Sequence, residues 1–492
     1  MQRDQKDKMS KEEIIKYVDE LIKVNKRYDK RLAPLLYDFF LRANEKFEWS
    51  REEFLEKYQN YRNNVKIIKI RKIKDNYIGI FKILDKAIYI EKAMLKDMLK
   101  KPEKDSINYF VYNFFHECSH ATDLTRGNEG IIRDGFYEIM HNFFWRDKKD
   151  TMLNEYANVL YTSLISGDEP MYYDRLSIYT RNNGSYGVLN LPGSIMCSAI
   201  GITEIELAKL KDKGREKLDE CLKNKLLSPE FIINACEGSL NTIYNADQNN
   251  DKKNVALGLG NMADIAVIAI DERIRKSFLD NEKTEECIEK IYYDVYKIQK
   301  LLEVIDSCYT LDDEVYNVER FDNIEEILDR VRLYKRFLDN KDLFTNAEKG
   351  QIYNSIIYYD KDKRDTDLGK ELIESKIKEE YSKDEFDIEE IVKKYHLQSN
   401  EPLNDNTALI EQVKKSFIKP TIKEKFKKVI GIEQEEFPML PSVTEVLKPT
   451  VQSNMRNDIR YETPIIHDRS AEQQDTLRDK EESTRNENED IR

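Results

Sequence analysis

Residues 114–123 read Phe-Phe-His-Glu-Cys-Ser-His-Ala-Thr-Asp, with two histidines four apart and a glutamate directly after the first. On a helix, residues four apart share a face, with Cβ atoms about 5–6 Å from each other. His116 and His120 can therefore each direct one ring nitrogen at a single Zn²⁺, at about 2.0–2.1 Å. Glu117 is rotated off that face, so it stands beside the ion instead of on it. A carboxylate placed there can take a proton from water and pass it to a leaving group. The chain has five histidines, and two of them are here. At such frequencies the HExxH pattern arises by chance in about one chain of this length in two hundred. The flanks sharpen the reading, because Glu117 is the one charged residue between Ile107 and Thr122. That stretch reads as a buried helix, in which a carboxylate and two imidazoles are costly unless something satisfies them. A metal would.

A catalytic zinc site takes three protein ligands and keeps one position open. The third must come from outside the motif. Glu155 is again a lone carboxylate in an apolar helix, Met-Leu-Asn-Glu-Tyr-Ala-Asn-Val-Leu-Tyr, and is the better candidate. His141, in Glu138-Ile-Met-His-Asn-Phe-Phe-Trp, is the rival and is expected in a loop or short helix. Asp123 lies seven residues after His116, and no glycine at 123 or 124 turns the chain back. It reads either as a carboxylate supporting a metal-binding histidine from behind or as a helix-end residue. Cys118 and Cys197 read as buried core thiols.

These residues need elements to hold them. Residues 10–62 predict two helices, with capping boxes at Ser10/Glu13 and Ser50/Glu53. Asn64–Ile73, Tyr77–Leu84 and Lys86–Ile90 are rich in Val, Ile, Tyr and Phe and predict a small antiparallel sheet. Residues 105–124 and 149–166 predict buried helices, followed by a Gly/Asn/Tyr-rich loop around Arg181–Gly187. From about residue 200 to 435 the pattern is helical, with Ile288, Ile291, Val295, Ile298 and Leu302 at helical spacing. From about Pro441 the apolar periodicity stops, and the segment cannot bury enough surface to offset its ordering entropy. The expected class is α+β and predominantly helical. The expected regions are an N-terminal helical region (1–62), a domain around the motif (63–210), a helical C-terminal domain (211–440) and a disordered tail (441–492).

Composition excludes some partners. The net charge is −13 over 492 residues, with 36% charged residues interspersed over most of the length. No basic stripe marks a nucleic-acid surface, and Lys423–Lys428 reads as a solvated helix face. No run of ~18 apolar residues suggests a membrane span. Met1–Lys16 lacks the apolar core of a secretory signal. The six cysteines form no CxxC pair, which fits reduced thiols in a cytoplasmic protein.

The HExxH helix followed by an Asn-Glu helix resembles the gluzincin branch of zinc metallopeptidases, and in particular compact bacterial zincin-like proteins. The resemblance spans about residues 64–200. It implies a zincin-like domain with one Zn²⁺ per chain, held by His116, His120 and Glu155, with Glu117 as general base. It also implies a sheet strand beside the site to hold an extended peptide or protein substrate. Zincins often set a Tyr or His opposite the base to polarise the scissile carbonyl, and Tyr186, between Ser185 and Gly187, is the candidate. Asn113 departs from the Val or Thr common three residues before the first histidine. The Gly-x-Met-Glu-Asn motif of aminopeptidases is absent, which favours an endopeptidase. Two other expectations stand beside this one: a relict zincin domain on a helical scaffold or interaction protein, and an effector that cleaves one specific protein.

Overall fold

Serine hydroxyls start the first and third helices. Ser10 Oγ accepts from Glu13 N while Glu13 Oε2 accepts from Ser10 N, and Ser50 and Glu53 repeat the arrangement. Each box satisfies backbone donors that a helix start leaves unpaired. The computed structural model describes residues 8–417 apart from 74–78, 101–102, 127–130, 141–150, 167–170, 174–175, 179–186, 280–283, 309–317, 358–363, 378–385, 388–389, 392–393 and 395–405. The expectations for His141, Tyr186 and the 441–492 tail fall outside these residues.

The N-terminal region holds three helices where the sequence pattern suggested two: α1 (Lys11–Val24), α2 (Ala33–Phe47) and α3 (Arg51–Asn64). The break after α1 comes from local turn chemistry. Asn25 Nδ2 binds back to Leu21 O, Asp29 caps a short 3₁₀ turn, and Pro34 lies in the first turn of α2. Tyr28 anchors the break by donating its buried hydroxyl to Val65 O at 2.7 Å.

The first sheet is mixed, which corrects the expectation of an antiparallel one. Its strands are β1 (Ile67–Arg71), β2 (Gly79–Lys82) and β3 (Ala87–Glu91), in the order β1-β3-β2. β2 and β3 form an antiparallel hairpin, but β1 runs parallel to β3. Ala87–Ile90 is buried on both faces, so β3 takes the centre. β1 then fills its remaining side, with Lys66 N and Ile67 N donating to Lys86 O. The outer side of β1 is met by Tyr28 and Asp29, while β2 faces α5.

Helix α4 (Lys92–Lys100) leads to α5 (Lys104–Asp123), which carries the HExxH residues. α3 supplies side-chain amides to the end of α5: Asn60 Nδ2 donates to Thr122 O, and Asn64 Nδ2 to Ala121 O and Leu124 O. A second antiparallel ladder follows, β4 (Leu124–Arg126), β5 (Ile131–Asp134) and β6 (Tyr137–Met140). The segment before His141 is thus a strand. Its two-residue turn is Gly135-Phe136, between the paired Asp134 and Tyr137, with Gly135 at φ +57°, a left-handed conformation that tight hairpin turns ask of their first central residue. Next come α6 (Thr151–Ser166) and the hairpin β7 (Met171–Tyr173) and β8 (Leu176–Ile178).

The described remainder is helical. It runs through α7 (Asn190–Ile200), α8 (Glu204–Lys211), α9 (Arg215–Lys223), α10 (Pro229–Gln248), α11 (Lys252–Leu279) and α12 (Thr284–Cys308). It continues with α13 (Val318–Asp339), α14 (Asn346–Ile357), α15 (Arg364–Lys376) and α16 (Thr407–Phe417). One continuous apolar core joins Met9 to Val413. α11 is the one described helix whose length and composition would suit a membrane span, and more than half of its apolar stretch is buried. It packs against α7, α10 and α12, and its Arg273 pairs with Asp294 at 2.7 Å.

Behind α5 lies a cluster of buried charge. Asp123 pairs with Lys57 at 2.7 Å and with Lys211, and Lys57 also reaches Asp212 at 3.0 Å. Burial alone would raise the Asp123 carboxyl, but Lys211 and Lys57 outweigh it and hold it well below the usual carboxylate range. Asp212 is pushed up to about 6, by burial first and, against the pull of Lys57, by the charge of Asp123.

Asp123→Ala leaves two buried ammonium groups short of counter-charge and is expected to destabilise the fold by about 3–5 kcal/mol in urea titrations. A loss under 1 kcal/mol would mean that water reaches the cluster. The raised Asp212 pKa also sets a sign. The folded state holds that proton more tightly than the unfolded chain, so this group makes stability fall as pH rises from about 4 to 6. Asp212→Asn should flatten that interval, and an unchanged slope would assign it to other groups.

Candidate metal centre

α5 and α6 pack side by side. One turn of α5 brings His116 Nε2 to 3.2 Å from His120 Nε2. Glu155 Oε2, from α6, stands 3.4 Å from each of them. The three atoms make a nearly equilateral triangle. Bonds of about 2.0–2.1 Å directed to the corners of a tetrahedron put those corners about 3.3–3.4 Å apart. The triangle therefore has the dimensions of three ligand positions around one tetrahedral ion, leaving a fourth corner for another ligand. It is the one such group of His, Cys, Asp or Glu side chains found among the described residues.

The contact on the far side of the His120 ring assigns its tautomer. His120 Nδ1 lies 2.9 Å from Asp134 Oδ2. A carboxylate accepts, so Nδ1 carries the hydrogen and donates. In a neutral ring the lone pair is then on Nε2, aimed at His116 Nε2 and Glu155 Oε2. Such a meeting of electron-rich atoms needs positive charge between them. Burial disfavours a charged His120, yet Asp134 and Glu155 outweigh it and raise its pKa well above the ordinary histidine value. For Glu155, burial is outweighed by the two histidines, and the carboxyl is held well below the usual range. The two shifts are mutual and describe a histidine–carboxylate pair in which, with no ion bound, the imidazole proton is the positive charge.

The neighbouring contacts fix the helices that present these groups. Asn158 Nδ2, one turn after Glu155, donates to His116 O at 3.3 Å. Tyr112 stacks on the His116 ring with centroids 6.0 Å apart. At the start of α6, the buried Glu237 carboxylate from α10 accepts from Met152 N at 2.9 Å and Leu153 N at 2.6 Å. A carboxylate at a helix N-terminus suits both the unpaired amides and the helix dipole.

Glu117 is not part of the triangle. It turns toward β2, where its Oε2 accepts from Phe81 N at 2.6 Å. Gly79 permits this approach, because a Cβ there would lie 3.1 Å from Glu117 Cγ and 3.5 Å from Asn113 O. Burial raises the Glu117 pKa above the ordinary carboxylate value, with His116, His120 and the Phe81 amide pulling against it.

The structure thus brings together His116, His120 and Glu155, with Glu117 adjoining. Asp123 ends α5 and serves the lysine cluster, so of its two expected roles the helix-end one matches its position. The carboxylate that supports a histidine is Asp134, which the sequence reading missed. The local signal is Gly135, which opens the tight turn directly after Asp134, between α5 and α6. Comparison of the chain with known protein families, curated proteins and solved structures gives no match in any of the three.

Glu155→Ala is expected to abolish one-to-one Zn²⁺ binding in metal analysis of the purified protein. Asp134→Asn should weaken it about 10–100-fold, the usual effect of losing a carboxylate behind a metal-binding histidine. Full zinc in Glu155→Ala, with loss in His141→Ala, would move the third ligand to His141.

Proposed function

We propose that this chain is a zinc-dependent metallopeptidase of the gluzincin type, acting as an endopeptidase on peptide or protein substrates. The observation that carries the reading is the triangle of His116 Nε2, His120 Nε2 and Glu155 Oε2, with edges of 3.2–3.4 Å, built on an HExxH helix with Glu117 in place. A zinc ion bound there supplies Lewis-acid polarisation of water and of a substrate carbonyl.

The chain's own groups account for the rest of the chemistry. Asp134 holds His120 in the tautomer whose Nε2 can ligate. Glu117, raised by burial, is poised closer to neutrality than an exposed carboxylate and so is better matched to exchanging protons near pH 7. In hydrolysis the water oxygen bonds to the scissile carbonyl carbon as its proton passes to the Glu117 carboxylate. Glu117 then delivers that proton to the departing amide nitrogen as the C–N bond breaks. The bond from Phe81 N orients the glutamate for both transfers. β2, which borders Glu117, is suited to align an extended substrate by backbone pairing. Tyr186 is the proposed donor to the developing oxyanion.

Glu117→Gln should keep the metal and the melting temperature while cutting hydrolysis of an unfolded protein substrate by about 10²–10⁴. Gln is nearly isosteric but cannot take the proton. Wild-type turnover in this variant would rule out the mechanism. Zinc binding with no hydrolysis by the wild type over a broad substrate panel would favour the scaffold alternative.

A further inference from the structure

Lys211 is the last residue of α8 and is 1% exposed. A buried ammonium has three N–H donors to satisfy. Here the three acceptors are Ser119 Oγ at 2.7 Å, Asn158 Oδ1 at 2.7 Å and the Asp123 carboxylate. Their positions in the sequence matter. Ser119 lies between His116 and His120 on α5, and Asn158 lies one turn beyond Glu155 on α6. The same Asn158 side chain donates to His116 O. One ammonium therefore ties together the two helices that carry the three ligand atoms, directly beside those ligands.

The stem of Lys211 reaches the third supporting element. Gly135, in the turn that presents Asp134, packs so closely that a Cβ there would lie 2.9 Å from Lys211 Cγ and 2.2 Å from Asn154 Oδ1. Asn154, next to Glu155, accepts from Phe136 N at 3.0 Å. Apolar packing between α5 and α6 holds them together but is non-directional, so it sets their sliding register less sharply than directional bonds do. Directional bonds to a fixed ammonium define that register. A metal site needs ligand distances within about 0.2 Å of their ideal values, a tolerance that such bonds can enforce.

We propose that Lys211 is a positioning residue for the metal centre, setting the spacing of the His116/His120 helix against the Glu155 helix and seating the Asp134 turn. This rests on the zinc-site reading above.

The test compares wild type, Lys211→Met, Ser119→Ala and the double variant Lys211→Met/Asp123→Asn. Zn²⁺ affinity is measured by chelator competition, Co²⁺ coordination by visible absorption, and stability by thermal unfolding. Lys211→Met keeps the apolar stem but loses the donors, and zinc affinity should fall about 10–100-fold, as for other groups supporting metal ligands. The double variant removes one charge of each sign, so it should recover stability while affinity stays low and the Co²⁺ spectrum stays altered. Ser119→Ala deletes a single acceptor without unbalancing charge. It should fold normally and lose affinity several-fold, which keeps the proposal testable if Lys211→Met does not fold. Affinity that returns with stability in the double variant would overturn the proposal and leave Lys211 a stabilising residue only. So would wild-type affinity in Ser119→Ala and Lys211→Met. A wild type that binds no zinc would instead overturn the metal-centre reading itself.

Discussion

Two imidazole nitrogens and one carboxylate oxygen face each other across gaps of 3.2–3.4 Å. Three electron-rich atoms at that spacing repel unless positive charge lies among them, and most of the surrounding structure acts to keep them there. Asp134 commits the His120 ring to one orientation. Tyr112 stacks on His116. Glu155 sits mid-helix in α6, where neighbours on both sides are buried.

Holding two apolar helices in one register takes polar contacts from distant parts of the chain. Glu237, from α10, closes the N-terminus of α6. Asn60 and Asn64, from α3, take up carbonyls at the C-terminus of α5. Lys57 and Lys211 converge on Asp123 from α3 and α8. Buried ion pairs of this kind are poor sources of net stability, because desolvation consumes much of the attraction. Their directional geometry is what apolar contact lacks, and here it falls beside the turns that carry His116, His120 and Glu155. The helical second half of the chain is thus connected to the site through α8 and α10.

Glu117 shows how one residue type can be sent to two tasks by its surroundings. Glu155 faces the histidines and is held ionised, whereas Glu117 faces a strand amide and has its pKa raised by burial. A pair of carboxylates separated in this way suits the proposed division between a metal ligand and a proton carrier. Gly79 gives Glu117 room against β2, where a Cβ would make a tight 3.1 Å contact with Glu117 Cγ.

The sequence by itself determined what is local. Helical spacing put His116 and His120 on one face, Ser10 and Ser50 announced helix starts, and lone carboxylates in apolar runs marked Glu117 and Glu155. Those features follow from periods of a few residues and from the cost of burying charge. Strand order did not follow, because side-chain alternation does not say which edge of β3 receives β1. The turn after α1 and the Gly135-Phe136 hairpin turn carried local signals of their own, and stronger neighbouring patterns hid them. Only the tertiary structure decided that Asp134 supports His120 while Asp123 serves the lysines, that Glu237 caps α6, and that Lys211 spans α5 and α6. In each of these the partners lie between 14 and 92 residues apart. Contact between such positions depends on how helices pack in three dimensions, which no short-range periodicity encodes.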